Sequence, residues 1–330
     1  MDERSRFLRD APEANPLESK EAGPKFSFRV LYSAHDSVKD FWSQGELEAE
    51  LAKTDIWFPE MLGWTEDTEE KFNLYATGKY IPQANEPVIK VELEALTNTG
   101  RSGKVIKVGF VDFPEHHPLL RNWGGKFNYW QEAVLEFGKG NLDKAVRELK
   151  AAESKHASFE RVREKYMHEH IQEKVDAIAR DDARLQEKIQ KGEKLNILVT
   201  LGTFHVGFFH GLDKEGKDVE QKVNGLPLSE IGPFHELVLR YRLNEDVDNA
   251  LTVRALLFVV LLPEIGLIDE SLEKLKIYQV VNKLVASVSL KDIKNISLEL
   301  KAGRSIDEIF RALNIKLPHS EKEMDTFLQT

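Results

Sequence analysis

Residues 196–207 read NILVTLGTFHVG. Asn196 to Leu201 form an uncharged, largely apolar run rich in β-branched residues, as expected of a strand buried on both faces. Gly202 then permits a tight strand-to-helix turn in which the backbone can come close to a ligand, and His205 stands just beyond it. The same grammar recurs upstream. FSFRVL (26–31) is a short β-rich run that ends in the polar loop YSAHDS. Phe41, Trp42, Leu47 and Leu51 follow at helical spacing, and DIWFPEM (55–61) is an apolar segment closed by Pro59 and Glu60. A helix bracketed by Pro87 at its first position and Gly100 as its C-terminal cap precedes VIKVGFVDF (105–113), which reads as a further buried strand. Strands alternating with helices predict an α/β fold, with a mainly parallel central sheet flanked by helices.

The flanking regions read differently. Residues 1–24 carry Pro12, Pro16 and Pro24 among charges without periodicity, and read as a mobile arm. Residues 127–191 are helical and heavily charged. Beyond Pro227 the pattern is helical throughout, with Ser305 and Glu308 spaced as a capping box before IFRAL. The expected organisation is a disordered arm over 1–24, an α/β domain over 25–228 and a helical C-terminal region over 229–330. That last region would serve as a lid or an oligomer interface, and the apolar stripe from Leu251 to Ile268 would be buried against the first domain or in a homo-oligomer.

Composition narrows the function. The 46 basic and 56 acidic side chains give a net charge of −10, a surface that repels nucleic-acid phosphates and anionic lipid. Neither nucleic acid nor membrane is therefore an expected partner. The absence of cysteine removes thiolate metal sites, disulfides and a cysteine nucleophile together. The polar N-terminus lacks the apolar stretch of a secretory signal, and the longest uninterrupted apolar run, Ala255 to Leu262, has eight residues. A spanning helix needs roughly 20. A cytoplasmic protein is expected.

Chemistry in a parallel sheet collects where strands end at the carboxyl edge. His35, Glu60 and His205 each lie just past a predicted strand, and Asp112 sits inside VGFVDFP. Two histidines and two carboxylates there suit one divalent cation; equally, a histidine oriented by a carboxylate suits general-base work. Each also has a structural explanation: a solvent-exposed turn histidine for His35, a helix-start carboxylate for Glu60, a turn cap before Pro114 for Asp112. His168-Glu169-His170 is not a chelating pair, because residues i and i+2 on a helix point about 200° apart. His116-His117 points two ways. Gly124-Gly125 is followed by no Lys-Ser/Thr, and no G-x-S-x-G elbow is present.

LVTLGTFHVG resembles the second G-x-x-H motif of the Tiki/TraB-like superfamily, which includes ChaN-like and erythromycin-esterase-like proteins. In that family a first G-x-x-H follows strand one, a Glu follows strand two, and an R-[DE]-x-x-M helix precedes the second G-x-x-H. Here Tyr32-Ser33-Ala34-His35, Glu60, Arg163-Glu164-Lys165-Tyr166-Met167 and Gly202-Thr203-Phe204-His205 stand in that order, over roughly residues 26–215. Tyr32 departs from the family glycine, and Ser33 from the glutamate of several branches.

The resemblance implies hydrolysis of an amide or ester bond in a small molecule or peptide, often with a divalent metal such as Mn²⁺ or Co²⁺. In a metal version His35, Glu60 and His205, with Asp112, hold the ion, and bound water is the nucleophile. In a metal-free version His35 or His205 takes the proton from water and Glu60 orients it. Arg163 is assigned to the substrate, as is Tyr32 at the approach to His35. The alternative is a non-catalytic member that binds haem or another small molecule or acts in regulation. For haem, Tyr32 and His35 would be the axial ligands.

Overall fold

The computed structural model describes residues 26–33, 43–82, 87–123, 130–202, 205–223, 232–266 and 274–329. The expected arm over 1–24 and His35 lie outside these residues. In chain order the α/β part comprises β1 (Phe26–Ser33), α1 (Gln44–Leu51), β2 (Ile56–Pro59), α2 (Glu66–Tyr75), α3 (Pro87–Arg101), β3 (Lys107–Val108), α4 (Pro118–Trp123), α5 (Gln131–Gly138), α6 (Leu142–Asp181), α7 (Ala183–Gln190), β4 (Leu195–Gly202), α8 (Val206–Lys214) and β5 (Asp218–Val223). Then come α9 (Pro233–Arg242), α10 (Asn249–Gly266), α11 (Lys274–Ser287), α12 (Leu290–Lys301), α13 (Ile306–Ala312) and α14 (Glu321–Gln329).

The strands form one all-parallel sheet in the order β3-β2-β4-β1-β5, so the chain is α/β as its pattern predicts. Alternate residues of each strand serve the two faces. Leu31, Trp57, Val108 and Leu198 pack under α1, α2 and α3. Val30, Phe58, Ile197 and Val199 pack under α6, α7 and α8. The chain leaves β1 over the first face towards β2, and leaves β4 over the second face towards β5. These adjacent strands therefore send their following segments in opposite directions, which makes their carboxyl ends a topological switch point.

Three local expectations are corrected. The run 105–113 is buried from Ile106 onward except at Lys107, yet only Lys107–Val108 is strand. Lys107 and Gly109 donate to the carbonyls of Asp55 and Trp57, and the next rung needs an N–H that Pro59 does not have. The ladder stops, and the chain continues to Asp112 without a partner strand. Gly100 is not a cap: α3 continues to Arg101, and the left-handed residue is Gly103, φ 89°. A strand absent from the sequence reading, β5, adds to the edge of β1; its alternating charges make it look like loop.

The C-terminal helices own a separate apolar core, which they share with α5 and the first turns of α6 through Ala133, Phe137, Ala145 and Leu149. The 40-residue α6 thus reaches from this core to the sheet. The capping box forms as its spacing predicts: Ser305 Oγ accepts from Glu308 N at 3.3 Å, and Glu308 Oε2 accepts from Ser305 N at 2.9 Å. By length and composition α10 alone among the described helices would suffice to cross a membrane. In this fold Leu256, Leu257, Phe258 and Leu261 of α10 are buried in the chain's own core, and Arg254 donates to the carbonyls of Val285 and Val288.

Candidate functional site

The carboxyl ends of β2 and β4 and the stretch after β3 converge on one residue of α6, Arg163. Its Nε donates to Asp112 Oδ1 at 2.8 Å, and its Nη2 donates both to Asp112 Oδ2 and to Glu60 Oε1, the latter at 2.7 Å. Its Nη1 donates to Glu160 Oε2 at 3.2 Å, one helical turn back. Asp112 is held in turn by Phe113 N at 2.7 Å, and Glu60 Oε2 accepts Gly202 N at 2.6 Å. The motif glycine therefore binds the strand-two glutamate through its amide.

His205 closes the cluster. Its Nε2 lies 3.1 Å from Glu60 Oε1 and 3.3 Å from Arg163 Nη1, and its Nδ1 lies 3.3 Å from Glu164 Oε1. Only 4% of the residue is exposed. Burial and the Arg163 charge both oppose protonation of the ring. The Glu60 charge and the flanking Glu164 and Glu60 carboxylates outweigh them, and the pKa is pushed up from 6.5 to about 9. At neutral pH His205 is an imidazolium between two carboxylates. Glu160 is also ionised: burial works against its charge, but the His156 hydrogen bond and the Arg163, His205 and Arg242 charges hold its carboxyl well below the usual range.

Small residues bring these groups together. Gly207 and Gly211 stand one turn apart on the face of α8 that meets α6. A Cβ on Gly207 would lie 2.3 Å from Glu164 Oε2, and one on Gly211 would lie 2.9 Å from the His168 ring. Tyr32 fixes the other side of the turn, its hydroxyl donating to the His205 carbonyl at 3.0 Å and accepting from Phe209 N at 3.2 Å.

Of the sequence-derived set, Glu60, Asp112, Arg163 and His205 are brought into one cluster. Tyr32 is corrected: it is buried with its hydroxyl engaged twice, so it clasps the β4–α8 turn and neither faces a substrate nor stands free to ligate a haem. Arg163 is spent within the protein, its donors directed at three carboxylates, and so positions other groups. Of the expected metal set, Glu60, Asp112 and His205 are described and lie around Arg163, while His35 lies outside the described residues. The guanidinium lies between Glu60, His205 and Asp112, where an ion would sit, and among the described residues no group of three histidine, aspartate or glutamate side chains is arranged to hold a metal. These donors do not fit a divalent ion while Arg163 is in place. Glu160 and Glu164 join the cluster without being among the expected site residues; the signals for them are a position three residues before Arg163 on the same helix and a place inside the Arg163–Met167 segment, respectively. The discounted histidines do point apart: His168 faces Glu215 at 3.6 Å, while His170 stacks on Tyr166.

No family model, curated protein or solved structure matches the chain.

Proposed function

We propose that this centre hydrolyses an amide or ester bond of a small molecule or peptide, with Glu60 and His205 as the catalytic pair and no metal ion. The observation that carries this reading is the 3.1 Å contact between the buried His205 imidazole and Glu60, just past the carboxyl ends of the paired strands β4 and β2. Glu60, whose side chain is 17% exposed, is the most open of the four carboxylates facing Arg163 and His205, and is the one that water reaches.

The roles follow from charge. Water attacks the carbonyl carbon as its proton passes to Glu60. His205, already protonated, gives its proton to the departing nitrogen or oxygen as the carbon–heteroatom bond breaks. The Glu60–His205 contact then returns the proton from carboxyl to imidazole and resets the pair. Arg163 and Asp112 position Glu60. The test is hydrolysis of a panel of p-nitrophenyl esters and peptide p-nitroanilides by metal-stripped protein. The reading expects turnover that chelators leave unchanged, and a loss on the order of 10²-fold or more in Glu60→Gln and His205→Asn. Activity that appears only on adding Mn²⁺ or Co²⁺ would restore a metal mechanism. No turnover of any substrate would favour a binding or regulatory role.

A further inference from the structure

At the amino edge of the sheet, the end opposite His205, Asp55 precedes β2 and is completely buried. Its Oδ2 accepts Asn196 N at 3.0 Å and so ties the starts of β2 and β4 together. One carboxylate suffices for that, yet three cations crowd it. Lys188 Nζ lies 2.9 Å from Oδ1, Arg184 Nη1 lies 3.3 Å from it, and Lys104 Nζ lies 3.8 Å from it. Lys107 adds a fourth positive charge, 3.5 Å from Asp182, which itself lies 3.8 Å from Arg184. Among the described residues, four cations against two carboxylates leave two positive charges uncompensated, in a chain whose net charge is −10.

Two further observations show that the surplus is not absorbed by the fold. Arg184 Nε and Nη2 are buried without a hydrogen-bond partner, although a guanidinium cannot shed its charge. Lys104 is held below the usual lysine range by burial and by the charges of Lys188, Arg184 and Arg29, despite the contact with Asp55. The cluster is still reachable, since the Lys104, Arg184 and Lys188 side chains remain 28–33% exposed.

We propose that Lys104, Arg184 and Lys188 form an oxyanion-binding site that takes a phosphate group, free or carried by a larger molecule. A phosphate dianion matches the surplus of two, and its oxygens can accept from the reachable Lys104 and Lys188 ammonium groups beside the buried Arg184 charge. The site stands at the far end of the sheet from His205 and does not depend on the hydrolytic reading. It is tested by thermal melting and titration calorimetry of the full chain with inorganic phosphate and pyrophosphate, against sodium chloride at matched ionic strength. Wild-type protein should bind one phosphate and melt higher in phosphate than in chloride. Lys104→Met should melt in chloride no lower than wild type, because it relieves repulsion. It should bind phosphate at least about tenfold more weakly, and Arg184→Gln should do the same. Preference for pyrophosphate over phosphate would point to a larger phosphorylated ligand, and equal binding to free phosphate. Phosphate that stabilises wild type no more than chloride does, or binding that survives in both variants, would overturn the proposal.

Discussion

Arg163 donates through Nη2 to Glu60 at 2.7 Å, and this bond joins the longest helix of the protein to the end of its second strand. The same guanidinium grips Asp112 with two nitrogens, so one side chain neutralises carboxylates delivered by two different stretches of the sheet. Among the described residues, removing it would take from the buried Asp112 its only cation and leave Glu60 with His205 as its charged partner. Arg163→Met should therefore lose roughly 3–5 kcal/mol of stability by urea unfolding. Arg163→Lys should fall between, because a point charge cannot reproduce the bidentate grip on Asp112. Equal stability of all three proteins would show that the pairing does not organise the site.

Tyr32 invites a second experiment, because the resemblance to the G-x-x-H motif would place a glycine at its position. A Tyr32→Gly reversion would open the site if the ring merely obstructed it. In this fold the ring is fully buried on the sheet, and deleting it should cost about 3–5 kcal/mol, as for other large aromatic truncations. Tyr32→Phe, which loses only the bonds to the His205 carbonyl and Phe209 N, should cost about 1–3 kcal/mol. Calorimetric melting of both variants decides the matter, and a stable, more active Tyr32→Gly would refute the clasp.

Glu60, Asp112, Arg163 and His205 were legible in the sequence because their elements announce themselves: apolar runs broken by Gly or Pro, and an Arg-Glu-x-x-Met segment on an amphipathic helix. Partner assignment was not legible. Whether Arg163 faces a substrate or two carboxylates depends on contacts between residues 51 and 103 positions apart, which local patterns do not encode. The partners of the Tyr32 hydroxyl were hidden for the same reason, since they lie 173 and 177 positions away. β5 was missed because an edge strand protected by charge carries weak strand signals.

The C-terminal helices give a third prediction. Phe137 and Leu149 belong to their apolar core, and Arg242 reaches Glu160 at 3.4 Å. A fragment ending at residue 228 would expose that core on α5 and α6. It should aggregate or bind ANS strongly in size-exclusion and dye experiments. A monodisperse fragment with a sharp melting transition would show that the core is dispensable.

The charge of His205 also links stability to pH. Its folded pKa lies above its unfolded value, so its contribution is complete below about 6.5 and is lost as pH rises through about 9. The loss should be on the order of 3 kcal/mol across that window. Wild-type protein should lose melting temperature between pH 6.5 and 10 more steeply than His205→Gln does. Parallel pH curves for the two proteins would contradict the assignment.

All of the proposed chemistry rests on His205 being a buried imidazolium held by Glu60 and Glu164, and NMR titration of its ring nitrogens reads this directly without a substrate. The midpoint should lie at about 9 in wild-type protein and shift clearly downward in Glu60→Gln. A midpoint at or below the ordinary histidine value of about 6.5, unchanged by Glu60→Gln, would contradict it.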